Sequence, residues 1–160
     1  MSKLVEKKLY TIEVLNILGW LSQENNPVLS AKLPIKLSWD FRKNIKVFEG
    51  IQEQYNQFDK ELQERYIDDK YSYDFETEDE NGDKQTIRRV KDEYLAEYSK
   101  NKEELLFTEN NVSLFIFNIE DFGDDIELDY KDMELLSVFI TDSENEDKEN
   151  VIDKEEIIEA

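Results

Sequence analysis

The chain has no cysteine and no histidine among its 160 residues. That removes disulfides, thiolate nucleophiles, zinc sites of the usual ligand types and every Ser-His or Cys-His catalytic arrangement. Long apolar runs are missing as well. None approaches the roughly 20 residues that a membrane-spanning helix needs, and the opening MSKLVEKKLY lacks the apolar stretch of a secretory signal. These absences predict a soluble cytoplasmic protein that makes no membrane contact. Positive charge is scarce: 20 Lys and Arg stand against 40 Asp and Glu, for a net charge of −20.

What is present is enough to fold. Hydrophobic residues make up 39% of the chain and aromatic residues 12%, which supplies one core of ordinary size for a single domain. The charge is uneven. Residues 1–60 hold 9 Lys/Arg against 7 Asp/Glu, a net of +2, which leaves −22 for residues 61–160. A field of that sign repels nucleic acid and anionic membranes and favours a basic protein surface. Its plainest role is solubility.

The patterning predicts a mainly α (α+β) fold built on a long antiparallel helical hairpin. Thr11 is placed to cap a first helix carrying Ile12, Leu15, Leu18 and Leu21, with Val14, Ile17 and Trp20 widening the face and an end near Glu24. Asn25-Asn26-Pro27 breaks the chain, and Leu33-Pro34 sets the next start. From Ile35 to about Asp69, Leu37, Phe41, Ile45, Phe48, Ile51, Tyr55, Phe58, Leu62 and Tyr66 recur in steps of three and four. That is one long amphipathic helix, with Gly50 inside it. Ile87, Val90, Tyr94, Tyr98 and Leu105 continue the period and predict a third helix from about Thr86 to Leu106, folded back on the second.

VSLFIFNI at Val112–Ile119 reads as a strand, and its partner upstream is near Lys8–Thr11, so a small sheet should close the base of the hairpin. Asp129 caps a last helix through Met133, Leu136, Phe139 and Ile140. Residues 1–141 then form the domain. Residues 142–160, with nine acidic residues against Lys148 and Lys154, read as an acidic, disordered tail.

The tip of the hairpin is YDFETEDENGDKQ. Asp74-Phe-Glu76 has the form of a two-metal exonuclease motif, but the chain after it reads as helix, strand, helix and not as the mixed sheet this chemistry requires. Aligned as a calcium loop on Gly82, the segment puts Arg88 where a bidentate glutamate belongs. An adventitious cation site among Glu76, Glu78, Asp79 and Asp83 is the remaining metal reading. Asp129-Tyr-Lys131, behind Asp124, Asp125 and Glu127, echoes a nuclease motif but is better used as a cap. Asp121-Phe122-Gly123 matches a kinase motif in three letters only. Lys32, Lys36, Arg42, Lys43 and Lys46, beside Trp39 and Phe41, most simply cover apolar surface with their stems.

The expectation is therefore not an enzyme, with no catalytic residue, no cofactor and no metal ligand, but a binding protein. Its predicted contact is the acidic tip, Asp68, Asp69, Asp74, Glu76, Glu78, Asp79, Glu80 and Asp83, with Tyr71, Tyr73 and Phe75 as aromatic anchors. Asn81-Gly82 would make the turn, with a short ribbon from Tyr73 to Thr77 paired toward Thr86.

The segment Lys32-Leu-Pro-Ile-Lys-Leu-Ser-Trp-Asp-Phe-Arg-Lys-Asn44, followed by a long charged helix, an acidic loop, a second helix and a strand such as VSLFIFNI, resembles a family of small uncharacterised phage and prophage proteins of low-GC Gram-positive bacteria. The resemblance spans roughly residues 10–140. It implies a setting, an infected or lysogenic bacterial cytoplasm, and no catalytic or binding residues. In that setting an acidic binder would inhibit a basic host protein that handles nucleic acid or serves defence of the CRISPR type. The alternative is a phage assembly or structural interaction protein.

Overall fold

The first strand runs directly into the first helix. In the computed structural model, which describes residues 2–141, β1 (Lys3–Tyr10) hands over to α1 (Thr11–Leu21) without a loop. The acidic tail expected over residues 142–160 lies outside the described residues. Thr11 is not the cap of α1 but its first residue. Tyr10 holds the cap position, and its N–H donates to Glu13 Oε1 at 3.1 Å. Thr11 is buried, and its N–H and hydroxyl both donate to the Thr108 carbonyl. The helix start is thereby fastened to a segment 97 residues further along the chain.

After α2 (Ile35–Arg65) come β2 (Ser72–Glu78), β3 (Lys84–Val90), α3 (Asp92–Leu106) and β4 (Glu109–Ile116), then a 3-10 turn at Ile119–Phe122, α4 (Tyr130–Leu136) and a second 3-10 turn at Ser137–Phe139. Two separate two-stranded antiparallel sheets result, β1 with β4 and β2 with β3. In the first, Lys3 pairs with Ile116 and Tyr10 with Glu109.

The expected long helical hairpin is overturned. The segment Thr86–Val90, taken as the start of a helix, is the second strand of a β-hairpin, and the helix behind it has only 15 residues. Ile87 and Val90 fall at a helical interval by coincidence. Across the turn they belong to a run in which Tyr73, Phe75, Thr86, Ile87 and Val90 favour strand, and Asn81-Gly82 supplies the reversal. The helix α2 also stops at Arg65, short of Asp69, because Tyr66 leaves the helix to pack against Tyr71 and Tyr98.

The core lies at the N-terminal half of α2. Val14, Ile17 and Leu18 of α1, Leu37, Phe41 and Phe48 of α2, Val112, Leu114 and Ile116 of β4, and Phe117, Phe122, Leu136 and Phe139 form one buried cluster. Phe41 is its hub, with ring centroids 5.0 Å from Phe139 and 6.2 Å from both Phe117 and Phe122. Asp129 caps α4 as its spacing predicts, accepting from the Asp132 N–H at 2.7 Å. Asp132 in turn accepts the indole N–H of buried Trp20 at 2.8 Å, which ties α4 to α1.

A sheet of two strands leaves backbone groups exposed along its edges. On β4 two such groups are satisfied by one side chain. Asn44 of α2 is buried, and its amide donates to the Phe115 carbonyl and accepts from the Phe115 N–H, both at 2.8 Å, as a neighbouring strand would. Further along, Phe117 exchanges two backbone bonds of 2.8 Å with Phe139 and Thr141, in a parallel bridge to Ile140. Asn44→Ala should cost about 2 kcal/mol, because two partly buried backbone groups lose their partners. Thermal unfolding followed by circular dichroism measures it. Asn44→Asp should not rescue, since a carboxylate would face the carbonyl of Phe115.

Candidate functional site

The hairpin of β2 and β3 is the part of the fold that the core does not explain. An isolated two-stranded ribbon is marginal in water, so its base must be held, and it is. The backbone ladder continues from Lys91 N–H to the Tyr71 carbonyl at 2.8 Å. Below it, Tyr66, Tyr71, Tyr94 and Tyr98 stack edge to face with centroids 4.8–5.4 Å apart, joining the end of α2 to α3. Burial of the Tyr66 hydroxyl, reinforced by neighbouring Glu97, pushes its pKa above the usual tyrosine value. Lys102 of α3 reaches across to Asp59 of α2 and clamps the two helices one layer further in.

Arg88 closes the base from the other side. Its guanidinium donates to the Ile67 carbonyl at 2.8 and 3.1 Å, to the Ser72 hydroxyl at 2.7 Å, to Asp69 at 2.6 Å and to Asp74 at 3.1 Å. The hydrogen bond and charge of Arg88 hold the Asp69 carboxyl below the usual aspartate range. A depressed carboxylate contributes stability that is present above its unfolded pKa, about 4, and is lost as pH falls through the folded value. The ribbon base should thus loosen in acid before the core does. Arg88→Ala should reproduce that loosening at neutral pH. Amide exchange should speed up over 72–78 and 84–90, while the global unfolding midpoint should move little, because Asp69 is fully exposed.

Beyond the base no described residue covers the ribbon. Of residues 72–90 only Ser72 is buried. Neither outer edge is paired among the described residues. The tip is a three-residue loop in which Asp79 N–H donates to the Asp83 carbonyl at 2.9 Å and Gly82 takes φ +79°. Only glycine adopts that conformation without strain. The Asp79 carboxylate faces inward and accepts from the N–H groups of Asn81 and Asp83 at 2.9 and 2.8 Å.

Strand register divides the predicted contact residues into groups. Tyr71, Tyr73 and Phe75 lie on one face with Arg89 and Ile87, whereas Asp74, Glu76 and Glu78 lie on the other with Arg88, Thr86 and Lys84. Tyr71 belongs to the tyrosine cluster at the base and is only half-exposed. Phe75 carries the Arg89 guanidinium 3.7 Å from its ring centroid, and Tyr73 is exposed. Asp68 and Asp69 sit in the loop before the ribbon, the first accepting backbone bonds from Tyr71 and Ser72 through its carbonyl, the second held by Arg88. Glu80 and Asp83 are exposed at the tip.

The eight acidic residues are therefore not one uniform surface. Asp69 and Asp74 are paired with Arg88, and Asp79 serves the turn. Glu76, Glu78, Glu80 and Asp83 make no ion pair among the described residues and stand in the distal half. Arg88 and Arg89, absent from the predicted site, were hidden by the assignment of their segment to a helix. The Asn81-Gly82 turn between residues that favour strand was the signal that could have exposed them. Among the described residues no three carboxylates gather as a metal site, and no helix is long and apolar enough to cross a membrane. Concavities elsewhere among the described residues include two of note. One is an open groove of about 950 Å³ between α1 and α2 with Leu15, Ile45 and Gly50 on its walls. The other is a cavity of about 350 Å³ near Asp40. Comparison with family models, curated proteins and solved structures finds no match.

Proposed function

We propose that this is a non-enzymatic binding protein that inhibits a basic, nucleic-acid-handling partner by inserting the β2–β3 ribbon into its groove. The observation that carries the reading is a ribbon that is uncovered on both faces and bears its unpaired carboxylates in the distal half. A groove contacts both faces of an inserted ribbon. One wall would meet Glu76 and Glu78, the other Tyr73, Phe75 and Ile87, and the floor Glu80 and Asp83. Carboxylates steer the approach and displace the partner's phosphate ligand, while the aromatic face supplies desolvated contact area. The tyrosine cluster and Arg88 hold the ribbon in the bound geometry beforehand, which lowers the ordering cost of association.

In the setting implied by the resemblance to phage and prophage proteins, the partner is a host protein that cleaves or binds nucleic acid, or a defence protein of the CRISPR type, and the site of action is the bacterial cytoplasm. The experiment is competition. The protein is titrated into purified nucleases and CRISPR effectors bound to labelled nucleic acid, with displacement expected at low salt and diminishing as salt rises. The second reading, an assembly or structural interaction protein, draws on the unpaired ribbon edges, which would let copies add strand to strand. Light scattering separates the two, since assembly requires a stable oligomer and inhibition a monomer that forms a heterocomplex.

A further inference from the structure

The β2–β3 ribbon presents backbone groups to a partner as well as side chains, and its two edges differ. In an antiparallel pair, residues that exchange backbone bonds with the neighbouring strand alternate with residues whose N–H and C=O point away from it. The register is unbroken from Ser72 opposite Val90 to Glu78 opposite Lys84. At its two ends the Lys91 N–H reaches the Tyr71 carbonyl and the Asp79 N–H reaches the Asp83 carbonyl. By alternation between these ends, Tyr73, Phe75 and Thr77 turn their backbone groups inward to β3, and Ser72, Asp74, Glu76 and Glu78 turn theirs outward. Ser72 agrees with this, since its N–H donates to the Asp68 carbonyl in the loop before the ribbon, at 3.0 Å. From Asp74 onward no strand flanks the outer side of β2 among the described residues.

The residues with outward backbone groups on β2 are also the ones that carry its carboxylates. An antiparallel strand laid against this edge would set one of its residues directly opposite each of them, with both side chains on one face. Opposite charges at such pairs attract and like charges repel. Asp74 already has Arg88, so Glu76 and Glu78 favour Lys or Arg at alternate positions of the added strand. On the other face Tyr73 and Phe75 favour apolar residues in between. A second copy of this chain fits poorly. Its β2 would oppose carboxylate to carboxylate. Its β3 turns Lys84, Thr86 and Arg88 outward, but Thr86 is uncharged and Arg88 is committed to Asp69 and Asp74. Two chains of net charge −20 also repel. We propose that the β2 edge from Asp74 to Glu78 adds an extended strand of the partner in which Lys or Arg alternates with apolar residues. Backbone pairing supplies the affinity and the alternation supplies the specificity. This inference rests on the reading of the ribbon as the contact element, and it names what the ribbon recognises: an exposed basic strand, not basic charge alone.

The probe is a capped peptide of alternating lysine and valine, spanning the seven residues of β2, titrated into the isotope-labelled full chain at low salt. The amide signals of Asp74, Glu76 and Glu78 should shift and their exchange with solvent should slow severalfold, while those of Lys84 and Thr86 on the far edge should not. In the added strand the lysine N–H groups face β2 and the valine N–H groups face away. N-methylation at the lysines should therefore weaken binding about tenfold or more, and the same modification at the valines should cost little. On the protein, Glu76→Pro and Glu76→Gln remove the same carboxylate, but only proline also removes the outward N–H, at a position that makes no bond to β3. The proline variant should bind the peptide about tenfold more weakly than the glutamine variant. Binding that ignores the position of the methyl groups overturns strand addition, and so does the absence of any shift. Slowed exchange at Asp74, Glu76 and Glu78 that needs no peptide and grows with protein concentration overturns it as well, by giving the edge to a second copy. Failure of the ribbon reading itself would show separately, as nucleic acid left in place in the competition experiment, which contains no peptide.

Discussion

Phe41→Ala should destabilise the protein by about 3–5 kcal/mol, the range for emptying a fully buried aromatic site. Phe41 is 1% exposed and touches three other phenylalanines from three different segments, so the surrounding structure cannot collapse onto the space from one side. Each edge-to-face pair lost adds to the transfer term. A domain of this size has a total stability of about 5–15 kcal/mol, and the substitution should remove a large share of it. Phe58→Ala is the matched control. It makes the same chemical change on the same helix, but Phe58 is 48% exposed beyond the core, and the loss should be about 1 kcal/mol or less. Urea unfolding with a common slope gives both numbers. Equal losses at the two positions would show that the core is not where the fold places it.

The second large effect concerns binding. Replacing Glu76, Glu78, Glu80 and Asp83 by their amides removes four distal carboxylates that make no ion pair among the described residues and spares Asp69, Asp74 and Asp79, which hold the ribbon together. At roughly 1 kcal/mol for each charge against a basic groove, affinity should fall by about a thousandfold at low salt. Because the anchoring residues are untouched, the unfolding midpoint should not change. Arg88→Ala is the converse, a variant that keeps the distal charges and loosens the base.

Sequence patterning carried the core side of the fold further than the ribbon side. The stripe from Leu37 to Tyr66 marks α2 because a helix of that length has only one way to bury its apolar face; burial along it falls off past Phe48 to Phe58 and returns at Leu62 and Tyr66. Asp129 was legible as a cap because capping is local chemistry. Thr11 was misread for a tertiary reason: its hydroxyl is taken by the Thr108 carbonyl, 97 residues away in sequence. The change from helix to strand at Thr86 was hidden because a short ribbon exposed on both faces need not alternate in polarity, so period gave no warning. The acidic residues of the site were visible one by one. Their division between two faces, and the withdrawal of Asp69, Asp74 and Asp79 into the ribbon's own support, depend on register and on Arg88. Neither is written in a list of charges.

The central claim is that the distal carboxylates of the ribbon make the contact. It is tested most directly by measuring the affinity of the wild type and the four-amide variant for purified nucleic-acid-binding proteins with basic grooves, CRISPR effectors among them, across a range of salt. The account predicts stoichiometric, salt-sensitive binding by the wild type to at least one of them, competitive with nucleic acid and weakened about a thousandfold in the variant. Wild-type protein that binds none of them at low salt, or a variant that binds as tightly as the wild type, would contradict it.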